Sequence, residues 1–155
     1  MKIRRLEVKD AATVRELVKA GLIERFDPYL EGYDADLDDL WAHHLEFLIG
    51  ELDSAIVATG GLKLEDALTV RVTRLSVVPA ARGQGFGAVM LDSLLKEAQG
   101  RDFQRAVLTT GEHWHSAIAL YERAGFHRIG SGFDPETAFQ YLEFACDLTS
   151  ESAVN

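Results

Sequence analysis

Residues 75–87 read LSVVPAARGQGFG, and this stretch limits the chain to few architectures. An apolar, β-branched run stops at Pro79, which offers no backbone N–H to a sheet. From Gly85 a helical pattern begins: Phe86, Met90 and Leu94 fall on one row, Leu91, Leu95 and Ala98 on the next, and Asp92, Ser93, Lys96 and Glu97 are left for water. The predicted order is strand, glycine turn, helix N-terminus. Such a terminus presents unpaired N–H groups and the positive end of the helix dipole, and so binds phosphate oxygens with few basic side chains. Glycines at 83, 85 and 87 leave out the Cβ atoms that would hold a phosphate away.

The order of residues excludes two common phosphate motifs. A P-loop needs G-x-x-x-x-G-K-[ST], which is absent, and a dinucleotide G-x-G-x-x-G would end at position 88, where this chain has Ala88. What stands there is Arg82-x-x-Gly85-x-Gly87, following Val77-Val78-Pro79. It resembles the acyl-CoA pyrophosphate loop of the GNAT superfamily of N-acetyltransferases, written [QR]-x-x-G-x-[GA]. Leu120-Tyr121-x-x-x-Gly125-Phe126 resembles a second signature of that family, in the right order, and the likeness is strongest over residues 74–126.

The resemblance implies an α/β fold: a mixed, mostly antiparallel twisted sheet, helices on both faces, and a V-shaped slot between two central parallel strands for the pantetheine arm of acetyl-CoA. It implies acetyl transfer to an amine, with Val77, Val78, Arg82, Gly83, Gln84, Gly85, Phe86, Gly87 and Ala88 holding the cosubstrate. The backbone N–H of Val77 is expected to meet the charge that builds on the thioester oxygen. Tyr121 is expected to act as general acid toward the departing thiolate. Alkylamines are mostly protonated near neutral pH, so a base is required; Glu112 and His113 follow a central strand and lie near the slot by family geometry. One departure stands out, since many members carry asparagine seven residues before the tyrosine and this chain has Trp114. A catalytically silent acyl-CoA-binding module is the competing reading.

In the family, the segment between the first two helices borders the acceptor. Here it is acidic, with Asp27, Glu31, Asp34, Asp36, Asp38 and Asp39 inside thirteen residues and Tyr29 and Tyr33 interleaved. Carboxylates and aromatic faces favour a cation, so Tyr29, Glu31, Tyr33 and Asp34 are candidate contacts to a small cationic amine, with Glu24 nearby. A solvated loop with Asp36 as a helix cap is the plainer account. The formal charge of −9 argues in the same direction, against nucleic acid.

With 155 residues, 47% of them hydrophobic, one domain over 1–148 can bury a good core, and the polar tail 149–155 is expected to fray. The lone Cys146 allows no intrachain disulfide and reads as core. No apolar run approaches a membrane span and residues 1–5 lack a signal-peptide core, so a cytoplasmic protein is expected. His43, His44 and His115 have ordinary positions on helices, no H-x-x-x-H pattern links the histidines, and no metal is predicted. Nothing in the sequence indicates a second copy.

The remaining elements follow from periodicity. Residues 2–8 read as a strand and Asp10 as the cap of a helix carrying Val14, Leu17, Val18 and Leu22. Asp36 is placed to cap a second helix that turns Leu37, Leu40, Trp41 and His44 inward. Residues 46–52 and 55–63 form a hairpin about Asp53-Ser54. In 68–78 the apolar phase runs 68, 70, 72 and then shifts to 75 and 77, which predicts a β-bulge. Strands at 105–110, 127–133 and 139–148 and a helix closed by Gly125 complete the chain.

Overall fold

The computed structural model describes residues 1–26, 29 and 32–149. Its strands are β1 (Lys2–Arg5), β2 (Glu46–Leu52), β3 (Ala55–Asp66), β4 (Thr69–Val77), β5 (Arg105–Gly111), β6 (His127–Asp134) and β7 (Phe139–Asp147). Its helices are α1 (Ala11–Arg25), α2 (Leu40–His43), α3 (Phe86–Gly100) and α4 (His115–Arg123). The strands make one open sheet in the order β1-β2-β3-β4-β5-β7-β6. Only β4 and β5 run parallel; every other neighbouring pair is antiparallel.

Period-2 alternation sorts the sheet's side chains between two layers of helix. Phe47 and Ile49 join Leu6, Val14, Val18, Leu37 and Leu40 on the face of α1 and α2. Leu48, between them, faces the other way into the larger cluster with Met90, Leu91, Leu94 and Ala98 of α3. The α3 stripe is the one its periodicity predicts. Cys146 belongs to the same cluster and is buried. The β2–β3 hairpin turns at Asp53 and Ser54, whose φ values of 51° and 67° are the left-handed pair that a two-residue turn of matching twist requires.

Several local expectations give way to tertiary pairing. β1 ends at Arg5 because residues 8–10 form a 3-10 turn, and Asp10 gives α1 no side-chain cap but closes a capping box on that turn. Its carboxylate accepts from the Glu7 N–H at 2.8 Å and from both terminal nitrogens of Arg4. Asp36 is not the cap of α2 either: Asp39 accepts from Ala42 N–H at 3.0 Å, while Asp36 is buried against Arg74. Leu37 and Leu40 are buried as expected, but Trp41 is 49% exposed, because a helix of four residues has only one inward row. The expected tail lies outside the described residues from position 150. Among the described residues, no helix is long and apolar enough to cross a membrane.

Candidate active site

The site begins where the sheet divides. β4 pairs with β5 at three positions only, Thr69 with Arg105, Val70 with Ala106 and Arg71 with Val107. Beyond them β4 follows β3 and leaves β5. The predicted bulge lies here: between the pairs Thr59–Ser76 and Gly61–Thr73, β4 spends three steps against two on β3. Arg74 takes up the extra residue at φ 52°, a conformation that a long side chain adopts only when it is held. Thr59 Oγ1 donates to the Arg74 carbonyl at 2.8 Å, and the guanidinium bonds both Asp36 oxygens and the Tyr33 carbonyl. Burial pushes the Asp36 carboxyl up, but the Arg74 hydrogen bond and the charges of Arg74, Lys63 and His44 outweigh it and hold the group below its ordinary value. The bulge also keeps Val70, Val72, Leu75 and Val77 all facing the α3 cluster.

One backbone group is aimed by the ladder itself. Val78 N–H bonds the Val57 carbonyl at 2.9 Å, so alternation in an antiparallel pair turns the Val77 N–H and C=O away from β3, toward the side that β5 has left. The Val77 carbonyl accepts from Arg82 Nε at 3.0 Å.

The glycine loop closes this end of the slot. A 3-10 turn at Pro79–Ala81 leads into Gly83 at φ 79° and Gly85 at φ 85°, and Gly85 caps α3. A Cβ at either glycine would meet nothing within 4 Å, so these positions border open space. The third glycine differs, because a Cβ on Gly87 would lie 3.4 Å from Leu120. Among the described residues, no acceptor takes the amides of residues 83–88. They form a run of donors at a helix N-terminus. Arg82 braces the loop against α1 through two bonds to Glu24, at 2.7 and 3.0 Å.

Between the parted strands lies a cavity of about 210 Å³, walled by β4 from Val72 to Ser76, by Leu108 and Thr109 of β5, and by the C-terminal half of α1. Tyr121 lines it. Burial pushes the Tyr121 hydroxyl above its ordinary pKa, offset in part by the charge of Arg25, so the phenol is protonated at neutral pH. A second cavity of about 360 Å³ shares Gly21 and Ser76 with the first and runs on to Val77, Pro79 and Arg82. On β5, past the point of parting, Thr110 Oγ1 is buried without a hydrogen-bond partner among the described residues.

The end of the cavity away from the glycine loop is made of side chains. Phe26 packs on Tyr33, Trp114 and Phe139 at ring separations of 5.1, 5.6 and 4.9 Å, and Trp114 on Phe139 at 5.4 Å. Trp114 lies so close over Gly111 that a Cβ there would fall 2.5 Å from the indole. Thr73 also lines the cavity, and its hydroxyl lies 3.2 Å from His44 Nε2 while His44 Nδ1 sits 2.9 Å from the Leu40 carbonyl. Burial lowers the His44 pKa below its ordinary value.

Of the candidate residues, the structure brings Val77, Tyr121, Tyr33 and the loop 82–88 to this region. It does not bring Glu112 and His113, which are exposed on the turn after β5 and outside the cavity wall. Asp34 is also outside the wall. Tyr29 packs on Tyr33 at 6.4 Å, and Glu31 lies outside the described residues. The charged residues lining the cavity, among those described, are Arg25 and Arg74, and no carboxylate lines it. Sequence reasoning missed Arg25, Phe26, Thr73, Arg74 and Phe139, which sit in four separate elements or loops with no shared spacing.

Residues 13–126 match the acetyltransferase (GNAT) family. The chain belongs to this family. Its GNAT relatives include an IAA acetyltransferase of Azospirillum brasilense, 31% identical over 130 residues, covering 76% of this chain and 85% of the relative. The GNAT fold recurs in an acetyltransferase of Staphylococcus aureus Mu50, with a TM-score of 0.84 at 18% identity over 96% of this chain and 99% of that one. It recurs also in YncA of Salmonella typhimurium, solved with its cofactor acetyl-CoA, with a TM-score of 0.79 at 18% identity over 97% and 95% of the two chains. The chain is thus an enzyme of the GNAT N-acetyltransferase class, and its seven-stranded mixed sheet matches the fold of these neighbours.

Proposed function

We propose that this enzyme moves the acetyl group of acetyl-CoA to the primary amine of a small acceptor by direct attack within a ternary complex, in a single catalytic domain over residues 1–148 working in the cytoplasm. The observation that carries this reading is the parting of β4 from β5 directly beside the unpaired amides of residues 83–88. Acetyl-CoA, when bound, supplies an activated acyl carbon for the amine to attack. The amides of residues 83–88 suit its pyrophosphate, and the Thr110 hydroxyl offers a polar partner along the slot. Arg82, paired with Glu24, braces the loop.

The chain's own groups then divide the chemistry. The Val77 N–H, turned toward the slot, stabilises the negative charge that develops on the carbonyl oxygen. Tyr121 holds a proton at neutral pH and gives it to the sulfur as the carbon–sulfur bond breaks. Glu112 and His113 do not face the cavity, so the amine's proton leaves through water at its mouth. The arginine-lined wall gives no support to a polycationic acceptor.

Following thiol release from acetyl-CoA with pools of primary amines tests the activity. Tyr121→Phe keeps the packing and should lower turnover by about 10²- to 10⁴-fold with CoA affinity unchanged. An unimpaired rate across the pH range would remove Tyr121 from the chemistry.

A further inference from the structure

The acceptor cavity carries more information than the presence of an acceptor, because its two cations are in different states. Arg74 is committed: its guanidinium is neutralised by Asp36 and bonded to the Tyr33 carbonyl. Arg25 is not. It ends α1, is exposed, lines the same cavity, and stacks over the Trp114 ring at 5.3 Å from the centroid. Among the described residues it has no ion-pair or hydrogen-bond partner. A cation–π contact of this kind spends none of the guanidinium's N–H donors, so the fork is left for the two oxygens of a carboxylate.

The surroundings narrow the ligand further. Trp114, Phe26, Tyr33 and Phe139 form a continuous aromatic wall, suited to a flat apolar body. Arg25 is close enough to Tyr121 for its charge to act on the hydroxyl, so an anionic group bound at Arg25 leaves the reacting amine only a short distance from it. The chain as a whole carries −9 and repels anions, which makes a local unpaired cation at this mouth a specific feature.

Resting on the acetyltransferase reading, we infer that the acceptor is an aromatic α-amino acid or a close analogue, its carboxylate gripped by Arg25, its ring against the Trp114–Phe139 wall and its amine presented beside Tyr121. Arg25 is then the residue that sets specificity for acids over simple amines.

The test uses the full chain loaded with CoA for binding and with acetyl-CoA for thiol release. L-phenylalanine, L-tyrosine and L-tryptophan are each compared with the corresponding amide and with phenethylamine, tyramine or tryptamine. At least one acid should bind and be acetylated with kcat/KM about tenfold or more above its counterparts that lack the carboxylate. Arg25→Gln should lower kcat/KM for that acid by about 10- to 100-fold, the size of a lost charge-assisted contact, and leave the amide's value, CoA affinity and thermal unfolding unchanged. Arg25→Lys should recover part of the loss. Equal use of acids and amines, or an equal loss on both in Arg25→Gln, or a fall in CoA affinity, overturns the inference. Thiol release with other amines while no aromatic acid binds also overturns it and leaves the acetyltransferase reading standing. No thiol release with any of the amines removes both.

Discussion

The two ends of the divided sheet are built by different means. At the loop of residues 79–88 the functional groups belong to the backbone: glycines at positive φ, a run of unpaired amides, and one strand N–H turned outward. At the acceptor end they are side chains, delivered by the end of α1, the segment around Tyr33, the bulge on β4, the turn before α4 and the start of β7. A backbone site is made by consecutive residues and survives wherever their conformation survives. A side-chain site survives only while remote elements keep their mutual positions.

The sharpest separation of the two ends should come from Gly85→Glu. A side chain at φ 85° is strained, and a carboxylate there opposes a phosphate; calorimetry should show no CoA binding in the folded variant, while the aromatic wall stays intact by near-UV circular dichroism. Retained CoA affinity would move the phosphate site elsewhere.

Next in size is Asp36→Asn, which leaves Arg74 uncompensated beneath the acceptor end. Breaking a buried pair of this kind costs about 3 kcal/mol, read from urea denaturation at pH 7. The sign with pH follows from the depressed carboxyl. Its stabilisation is present above the unfolded value near 4 and fades as pH falls through the lower folded value. Wild type should therefore lose stability more steeply than Asp36→Asn as pH falls below the unfolded value.

Trp114→Ala removes the wall beneath Arg25 and is the counterpart of the glycine variant. Loss of a packed tryptophan contact is worth about 2 kcal/mol, so acceptor KM should rise about 30-fold with CoA affinity unchanged. A matching loss of CoA affinity would mean the two ends are not separable. The smallest effect is expected from Asp39→Ala, which deletes the side-chain cap of α2 and should cost about 1 kcal/mol, well below Asp36→Asn.

Much of the fold was legible in the chain because its signals are local. Met90, Leu91, Leu94 and Ala98 mark α3 by spacing alone, Gly125 ends α4 at φ 97°, and the shift from 72 to 75 marks the bulge. The loop of residues 82–88 was legible for the same reason: neighbouring residues with special backbone freedom leave a motif. The acidic segment was misleading. Asp36 resembles a helix cap locally, yet a half-buried arginine thirty-eight residues away competes for it and wins, because a buried carboxylate gains more from a charged partner than an exposed helix end gains from a cap.

By itself, then, the sequence determined what depends on neighbours along the chain: the order of elements, the core stripes, the amide cradle and the tyrosine that faces the slot. Only the tertiary structure decided which charges are spent and which are free. Arg25 and Arg74 are the same residue type on flanking elements, and no local pattern distinguishes them. One is neutralised because folding brings Asp36 beneath the bulge, and the other is left over an indole ring because folding brings Trp114 to the end of α1 and engages the neighbouring Glu24 with Arg82.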